Sequence, residues 1–176
     1  MSPAADGPAS DPPDTDVLQP DSPSFRAVLG HFATGITVIT AMDGDEPVGI
    51  AANSFTSVSL DPPLVLFCAA KTSSTWPRIQ RAGHFTVNVL DEHQEPVSKL
   101  FATPGADRFG QIAWRVGDHG PILDDVHAYL DCDIETELDA GDHVIVVGRV
   151  QALGLTADAG PLLFYRGQYG RLLGSE

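Results

Sequence analysis

Between Ala51 and Leu60 the chain sets four hydroxyl side chains, Ser54, Thr56, Ser57 and Ser59, beside one carboxamide, Asn53, with no charged group among them. Such a run offers short neutral donors and acceptors, and it supplies neither a nucleophile with its base nor a pair of carboxylates. It suits the rim of a polar heterocycle such as a flavin, whose ring nitrogens and carbonyl oxygens take neutral partners while its xylene edge takes apolar walls. It equally suits a turn or an exposed strand edge. A second hydroxyl-rich stretch, Lys71-Thr72-Ser73-Ser74-Thr75, runs into a helix start at Trp76-Pro77, gathering a lysine, hydroxyls and amide donors where a phosphate is favoured. An ordinary helix cap accounts for the same hydroxyls.

Other chemistries find no footing. The motifs GxGxxG, GxxxxGK[ST], GxSxG and HExxH are absent, which removes the usual signatures of dinucleotide-binding α/β folds, P-loop enzymes, α/β hydrolases and zincins. The six histidines, His31, His84, His93, His119, His127 and His143, lack metal-ligand spacing, so no metal site is expected. Asp131, Asp133, Glu135 and Glu137 alternate with apolar residues and read as the solvated face of a strand. Ten Lys and Arg against 24 Asp and Glu give a net charge of -14, which repels nucleic acid and anionic membrane.

The elements that must position these residues follow from length and pattern. A chain of 176 residues fits one domain, and 14 Pro with 17 Gly favour many turns over long helices. Residues 1–24 hold six Pro and five Asp with no Lys, Arg or aromatic residue, and are expected to form a disordered acidic tail ahead of a single domain over 25–176. A serine cap at Ser22 followed by Pro23 predicts a short helix with Phe25, Val28, Leu29 and Phe32 on one face. Strands are predicted from Ile36 to Thr40, from Val48 to Ala52 after a turn at Asp43-Gly44, and from Ser57 to Leu60. Beyond the break at Asp61-Pro62-Pro63, Leu64 to Cys68 reads as a strand buried on both faces. A helix carrying Ile79, a strand from Phe85 to Leu90 and an amphipathic helix over 92–102 come next, before an irregular Gly-rich stretch through Gly120. Strands from Tyr129 to Leu138, His143 to Val150 and Leu162 to Tyr165 close the series, and Gly167 and Gly170 lie in the final loop. Six or seven strands with two or three helices predict a mainly β fold, a barrel with helical decoration. Cys68 and Cys132 lie in apolar stretches without a disulfide pattern, and no apolar run reaches membrane-spanning length, so a soluble cytoplasmic protein is expected.

Five blocks in order resemble the flavin reductase family, the small reductase components of two-component aromatic monooxygenases. They are FRAVLGHFATGITVIT (Phe25–Thr40), NSFTSVSLDPPLVLFC (Asn53–Cys68), FTVNVL (Phe85–Leu90), the GDH triplet Gly141–His143 leading into VIVVGRV, and PLLFYRGQY (Pro161–Tyr169). The resemblance implies an antiparallel split β-barrel of the FMN-binding type, with FAD or FMN as cofactor and NADH, rather than NADPH, as reductant. It sets the flavin ring and ribityl chain against Thr34, Gly35, Ala52, Asn53, Ser54, Phe55, Ser59 and Leu60, the phosphate near Lys71 and Ser74, and Phe85 as a closing wall. His143, as the catalytic residue, and Tyr165, Arg166, Gly167 and Tyr169 fall on the side from which the nicotinamide approaches. It further implies a homodimer and a partner oxygenase that receives diffusible reduced flavin and hydroxylates a phenolic or secosteroid-type ring. The long acidic tail and the end of the chain soon after RGQY depart from the family. Related split barrels also carry flavin or pyridoxal phosphate, so a flavin-binding carrier without reductase activity is the alternative.

Overall fold

The computed structural model describes residues 18–156 and 159–172. The expected tail lies outside the described residues as far as Val17, and its last residues are helical from Ser22 onward. In α1 (Ser22–Leu29) the cap is Asp21 rather than Ser22: its Oδ1 accepts the Ser24 amide at 2.8 Å, and Pro23 sits in the first turn, where its missing N–H has no role.

Twelve strands follow: β1 (Thr34–Gly35), β2 (Thr37–Asp43), β3 (Glu46–Ala52), β4 (Thr56–Leu60), β5 (Pro63–Ala70), β6 (His84–Val89), β7 (Trp114–Val116), β8 (Pro121–Leu123), β9 (Ala128–Ala140), β10 (His143–Leu155), β11 (Leu163–Tyr165) and β12 (Gln168–Gly170). The two further helices are α2 (Trp76–Ala82) and α3 (Glu95–Ala102). Short paired strands exceed the expected number because β7 and β8 form a ladder inside the stretch expected to be irregular, and the Gly167 loop is a tight hairpin between β11 and β12. In that hairpin Arg166 and Gly167 both take positive φ, 50° and 76°, matching the twist of the flanking strands.

Seven strands make one antiparallel sheet in the order β3-β2-β6-β9-β10-β5-β4. Its edges, β3 and β4, are joined by only Asn53 to Phe55, so the chain crosses from one edge of the curled sheet to the other in three residues. No ladder joins the two edges among the described residues. The gap is bridged by Ser54, whose Oγ accepts the Cys68 amide of β5 at 2.9 Å. This is the split of a split barrel, and it puts the predicted hydroxyl segment at the opening.

The barrel interior packs Ile39, Val65, Phe67, Phe85, Val87, Cys132 and Val146 under Trp76 and Ile79 of α2. Its aromatic centre is Phe67, which meets Phe85 and Trp76 edge-on at 5.2 and 5.8 Å. At Gly148 a Cβ would lie 2.5 Å from the Phe85 ring, so only glycine leaves that ring its place. Burial leaves Cys132 with its thiol pushed up to about 12.

A second cluster outside the barrel joins Ile36 and Val38 to Leu90, Phe101, Ile122, Val126 and Leu162. Strand β2 therefore buries both faces, whereas β5, expected to do so, buries Val65, Phe67 and Ala69 and leaves Leu64, Leu66 and Cys68 half-buried.

One expectation about the acidic strand is corrected. Asp131 is 4% exposed and accepts the Thr86 hydroxyl at 2.6 Å, while Asp133 and Glu135 are exposed as expected. The reason is a buried polar row, Thr40, Thr86 and Asp131, paired across β2, β6 and β9. Strand β8 lies against it: Thr40 Oγ1 donates to Pro121 O at 2.6 Å, and Asn88 Oδ1 accepts the Leu123 amide at 2.9 Å. Alternation along one strand carries no information about that covering segment.

Candidate functional site

A cavity of about 470 Å³ opens at the split. The β3–β4 crossing supplies Ala52, Asn53 and Ser54, and the end of β5 with its loop supplies Cys68, Ala70 and Thr72 to Thr75. The end of α3 adds Phe101 and Ala102, the following loop Arg108, and the start of β10 His143. A neighbouring cavity of about 190 Å³ shares Ala51, Ala52, Asn53 and Ala102, and is closed by Ile36, Ser98, Phe164 and Tyr169.

Each wall has a local cause. Ser73 Oγ accepts the amides of Thr75 and Trp76 at 3.2 and 3.1 Å, so the loop is capped by Ser73 and leaves Ser74 to the cavity. His143 opposes Ala70 in the β5–β10 ladder, which brings the GDH triplet to this loop, and Lys71 N donates to Asp142 O at 3.0 Å. Its ring Nδ1 lies 2.8 Å from Asp142 Oδ1, and that hydrogen bond holds the Asp142 carboxyl below its ordinary range. With Nδ1 engaged, Nε2 is the ring nitrogen free for a ligand. Tyr169 is fixed by its hydroxyl to Ser98 Oγ at 3.0 Å and by the Phe164 ring at 5.4 Å.

Of the predicted site residues, Ala52, Asn53, Ser54, Ser74 and His143 meet on the larger cavity, and Tyr169 joins Ala52 and Asn53 on the smaller. The others lie elsewhere. Phe85 is fully buried inside the barrel, and Phe55 packs against the same core. Ser59 and Leu60 lie on edge strand β4, where Leu60 is 93% exposed. Lys71 is ion-paired to Asp139 at 2.9 Å and lines a separate depression with Trp76 and Gln80. Thr34 and Gly35 pair with Phe164 and Leu163 of β11, and the buried Thr34 hydroxyl has no partner. Arg166 and Gly167 form the hairpin turn, and Tyr165 meets His31 edge-on at 6.1 Å.

Sequence reasoning missed Arg108. Its Nη1 donates to Gly49 O at 2.7 Å and to Thr75 Oγ1 at 3.2 Å, its Nη2 donates to Thr103 O at 3.0 Å, and its Nε is buried without a partner. Lys71, Arg78, Arg81, Lys99 and Arg149 each face a carboxylate within 3 Å. Arg108 has neutral partners only, and burial draws its proton affinity down. In a chain of charge -14 it is a half-buried cation with no acid against it among the described residues, and its charge is available to an anion. The available signal was a lone arginine in a Gly-rich stretch between α3 and β7. A larger cavity, about 740 Å³, is bounded by Asp91, His93, Arg115 and Asp124 among others and contains none of the predicted site residues.

Open split barrel, neutral polar cleft and half-buried cation together make a cleft of small-molecule size. Residues 29–173 match the flavin reductase like domain, and the chain belongs to that family. It is 49% identical to a flavin reductase of Pseudomonas putida over 148 residues, 83% of this chain and 87% of the other. It is 48% identical to HsaB, the reductase subunit of a flavin-dependent monooxygenase of Rhodococcus jostii, over 85% of this chain and 77% of that one. Among solved structures it superposes on the NADH:FAD oxidoreductase SgcE6 of Streptomyces globisporus, seen with NAD and FAD fragments, with a TM-score of 0.86 and 36% identity over 90% and 98% of the two chains. The resemblance read from the five blocks is borne out, and with it the split-barrel fold and the assignment as a flavin reductase enzyme.

Proposed function

We propose that this protein uses NADH to reduce a flavin held at the split of the barrel, and that the reduced flavin passes to the oxygenase component of a two-component monooxygenase acting on an aromatic ring. The observation that carries the reading is the composition of the cleft. Among the described residues lining it, only Cys68, Arg108 and His143 carry ionisable side chains, and the remainder are hydroxyls, one amide side chain and apolar groups, with Ile50 and Phe101 the large ones. Bound there, a flavin supplies the hydride-accepting ring. Hydride transfer needs no protein nucleophile; it needs two rings held within about 3–3.5 Å, water excluded and donors preorganised around developing charge.

The residues fit that task. Asn53, Ser54 and backbone amides of the crossing provide neutral partners for the ring edge, while Ser74 and Arg108 provide donors for a phosphate. Lys71 would have to leave Asp139 to take part. His143, aimed by Asp142, orients the nicotinamide, with Tyr169 on the adjoining wall. The name of the relative HsaB supports an oxygenase partner, and that of SgcE6 supports NADH and FAD. A homodimer is supported by α1, whose Phe25, Val28 and Leu29 are each at least half exposed, as is Phe32 just beyond it.

The test is oxidation of NADH or NADPH in air with no flavin, FMN or FAD, in wild type and His143→Ala. The expected result is flavin-dependent NADH oxidation that falls about tenfold or more in the variant, as for loss of a positioning contact, with the flavin dissociation constant unchanged. Flavin binding without any oxidation would favour the carrier reading.

A further inference from the structure

Helix α3 takes part in two cavities. Its end, Phe101 and Ala102, lines the cleft, and its start, Pro96 and Val97, lines the larger cavity of about 740 Å³, which shares no described residue with the cleft. The walls of this larger cavity are apolar at Val97, Ile112, Leu123 and Val126. Two opposite charges face it without meeting. Asp91 is 6% exposed, and its Oδ1 accepts the His93 amide at 2.7 Å. Among the described residues its Oδ2 accepts no hydrogen bond and no cation is ion-paired to it. Arg115 comes from β7, and among the described residues it too has no ion-paired partner. Its guanidinium lies 5.3 Å from the centre of the Tyr129 ring, and that ring lies over Gly154, where a side chain would displace it.

The geometry points to this cavity as a second small-molecule site, one that takes an α-amino acid with an apolar side chain. The inference is independent of the flavin reading. Three features carry it. First, ligand sites run from about 300 to 1,000 Å³ and combine apolar walls with a few placed polar groups, as this cavity does. Second, a carboxylate as buried as Asp91, with one oxygen unused, is costly without a cation, and a ligand ammonium supplies one. Asp124 and Asp125, on the same wall, are exposed and keep their water, so one buried acid calls for one cation. Gln94 fixes that wall, its side chain bonded to the Asp91 amide and the Asp124 carbonyl. Third, Arg115 is exposed but held in place over Tyr129, so its planar fork meets a carboxylate already oriented. A ligand carrying one charge leaves either Asp91 or Arg115 without a partner, and a ligand carrying both satisfies the two at once.

The test is calorimetric titration of the full-length protein with L-leucine, L-phenylalanine and L-tryptophan, and with 2-phenylethylamine and 3-phenylpropionate, which keep an apolar body and one charge each. The expected result is that phenylalanine or another of the amino acids binds about tenfold tighter than either single-charge probe, a difference of about 1.4 kcal/mol. Arg115→Met should erase the preference over phenylethylamine. Ala113 is exposed and lines the cavity, so Ala113→Trp should fill it and abolish binding, and Ala113→Leu serves if the tryptophan variant melts early. Both variants should bind FMN and FAD as the wild type does, because the cleft shares none of these residues. Phenylethylamine or phenylpropionate binding as tightly as the amino acids, or a preference indifferent to Arg115→Met, overturns the assignment to an amino acid. No binding of any probe at millimolar concentration, or binding that persists in Ala113→Trp, overturns the site itself.

Discussion

Helices α1 and α3 are both eight residues long, both carry proline in the first turn and both present an apolar stripe, yet α3 buries Ser98 and Phe101 whereas α1 buries nothing. The difference lies in what waits beneath them. Phe101 descends onto β3 at Gly49, where a Cβ would come within 2.7 Å of its ring, and α3 is pinned at its start by Gln94. Helix α1 is capped by its own Asp21 and tied at its far end, where the Arg166 amide donates to Gly30 O at 2.8 Å, and Phe25 remains 59% exposed. Periodicity reports that a helix has a face to cover; it does not report whether the cover belongs to the same chain.

Four variants, one of them double, break or sharpen this contrast. Phe101→Ala should have the largest effect, about 3–5 kcal/mol of unfolding free energy in urea, as expected for emptying a fully buried aromatic site. A loss no greater than that of an exposed phenylalanine would mean that α3 is seated no better than α1. Gln94→Ala comes next. Its Oε1 accepts the Asp91 amide at 3.0 Å and its Nε2 donates to Asp124 O at 2.8 Å, and leaving the buried Asp91 amide unpaired should lower stability by about 1–3 kcal/mol in the same titration.

Asp21→Ala should cost less, because its cap is exposed, and should act on α1 alone. The Ser24 amide holds the Asp21 carboxyl below its ordinary 3.8, so the cap contributes above that value and is lost as pH falls through the folded value. Protection factors of the α1 amides, corrected for the intrinsic slowing of exchange in acid, should therefore fall on acidification while those of α3 hold, and equal behaviour of the two would remove the distinction. The smallest effect on intrinsic stability, within about 0.5 kcal/mol, is expected for Phe25→Ser with Leu29→Ser at low protein concentration. Their effect should appear in sedimentation as weakened self-association, and an unchanged distribution of species would place the subunit contact elsewhere.

Much of the architecture is local and could be read directly. The Asp43-Gly44 turn, the break at Asp61-Pro62 and the GDH turn into β10 each depend on residues within a few positions of one another, whereas the alternation from Leu130 to Leu138 fails at its ends, where Asp131 is buried and Leu138 is 53% exposed. The hydroxyl segment from Asn53 to Ser59 was likewise legible as a polar rim, and its first residues line the cleft. Other site residues were legible only as a family pattern, and that pattern carries no distances. It could not show that Lys71 turns to Asp139, or that Phe85 lies inside the barrel against Gly148.

What the sequence by itself determined is the seven strands of the main sheet, most of their turns and the chemical character of the cleft, because these follow from backbone preference and side-chain type over short spans. What only the tertiary structure decided is which distant segments share a wall. Asn53, Ser74, Ala102, Arg108 and His143 come from five separate places in the chain. Asp131 is buried in a row with Thr86 and Thr40, and β8, through Pro121 and Leu123, is bonded to that row's Thr40 and to Asn88 beside it. Bringing such segments together is a matter of loop closure and packing over the whole molecule. No residue's own neighbours specify it, and for the same reason Arg108, half-buried and without an acid, became visible only in the folded chain.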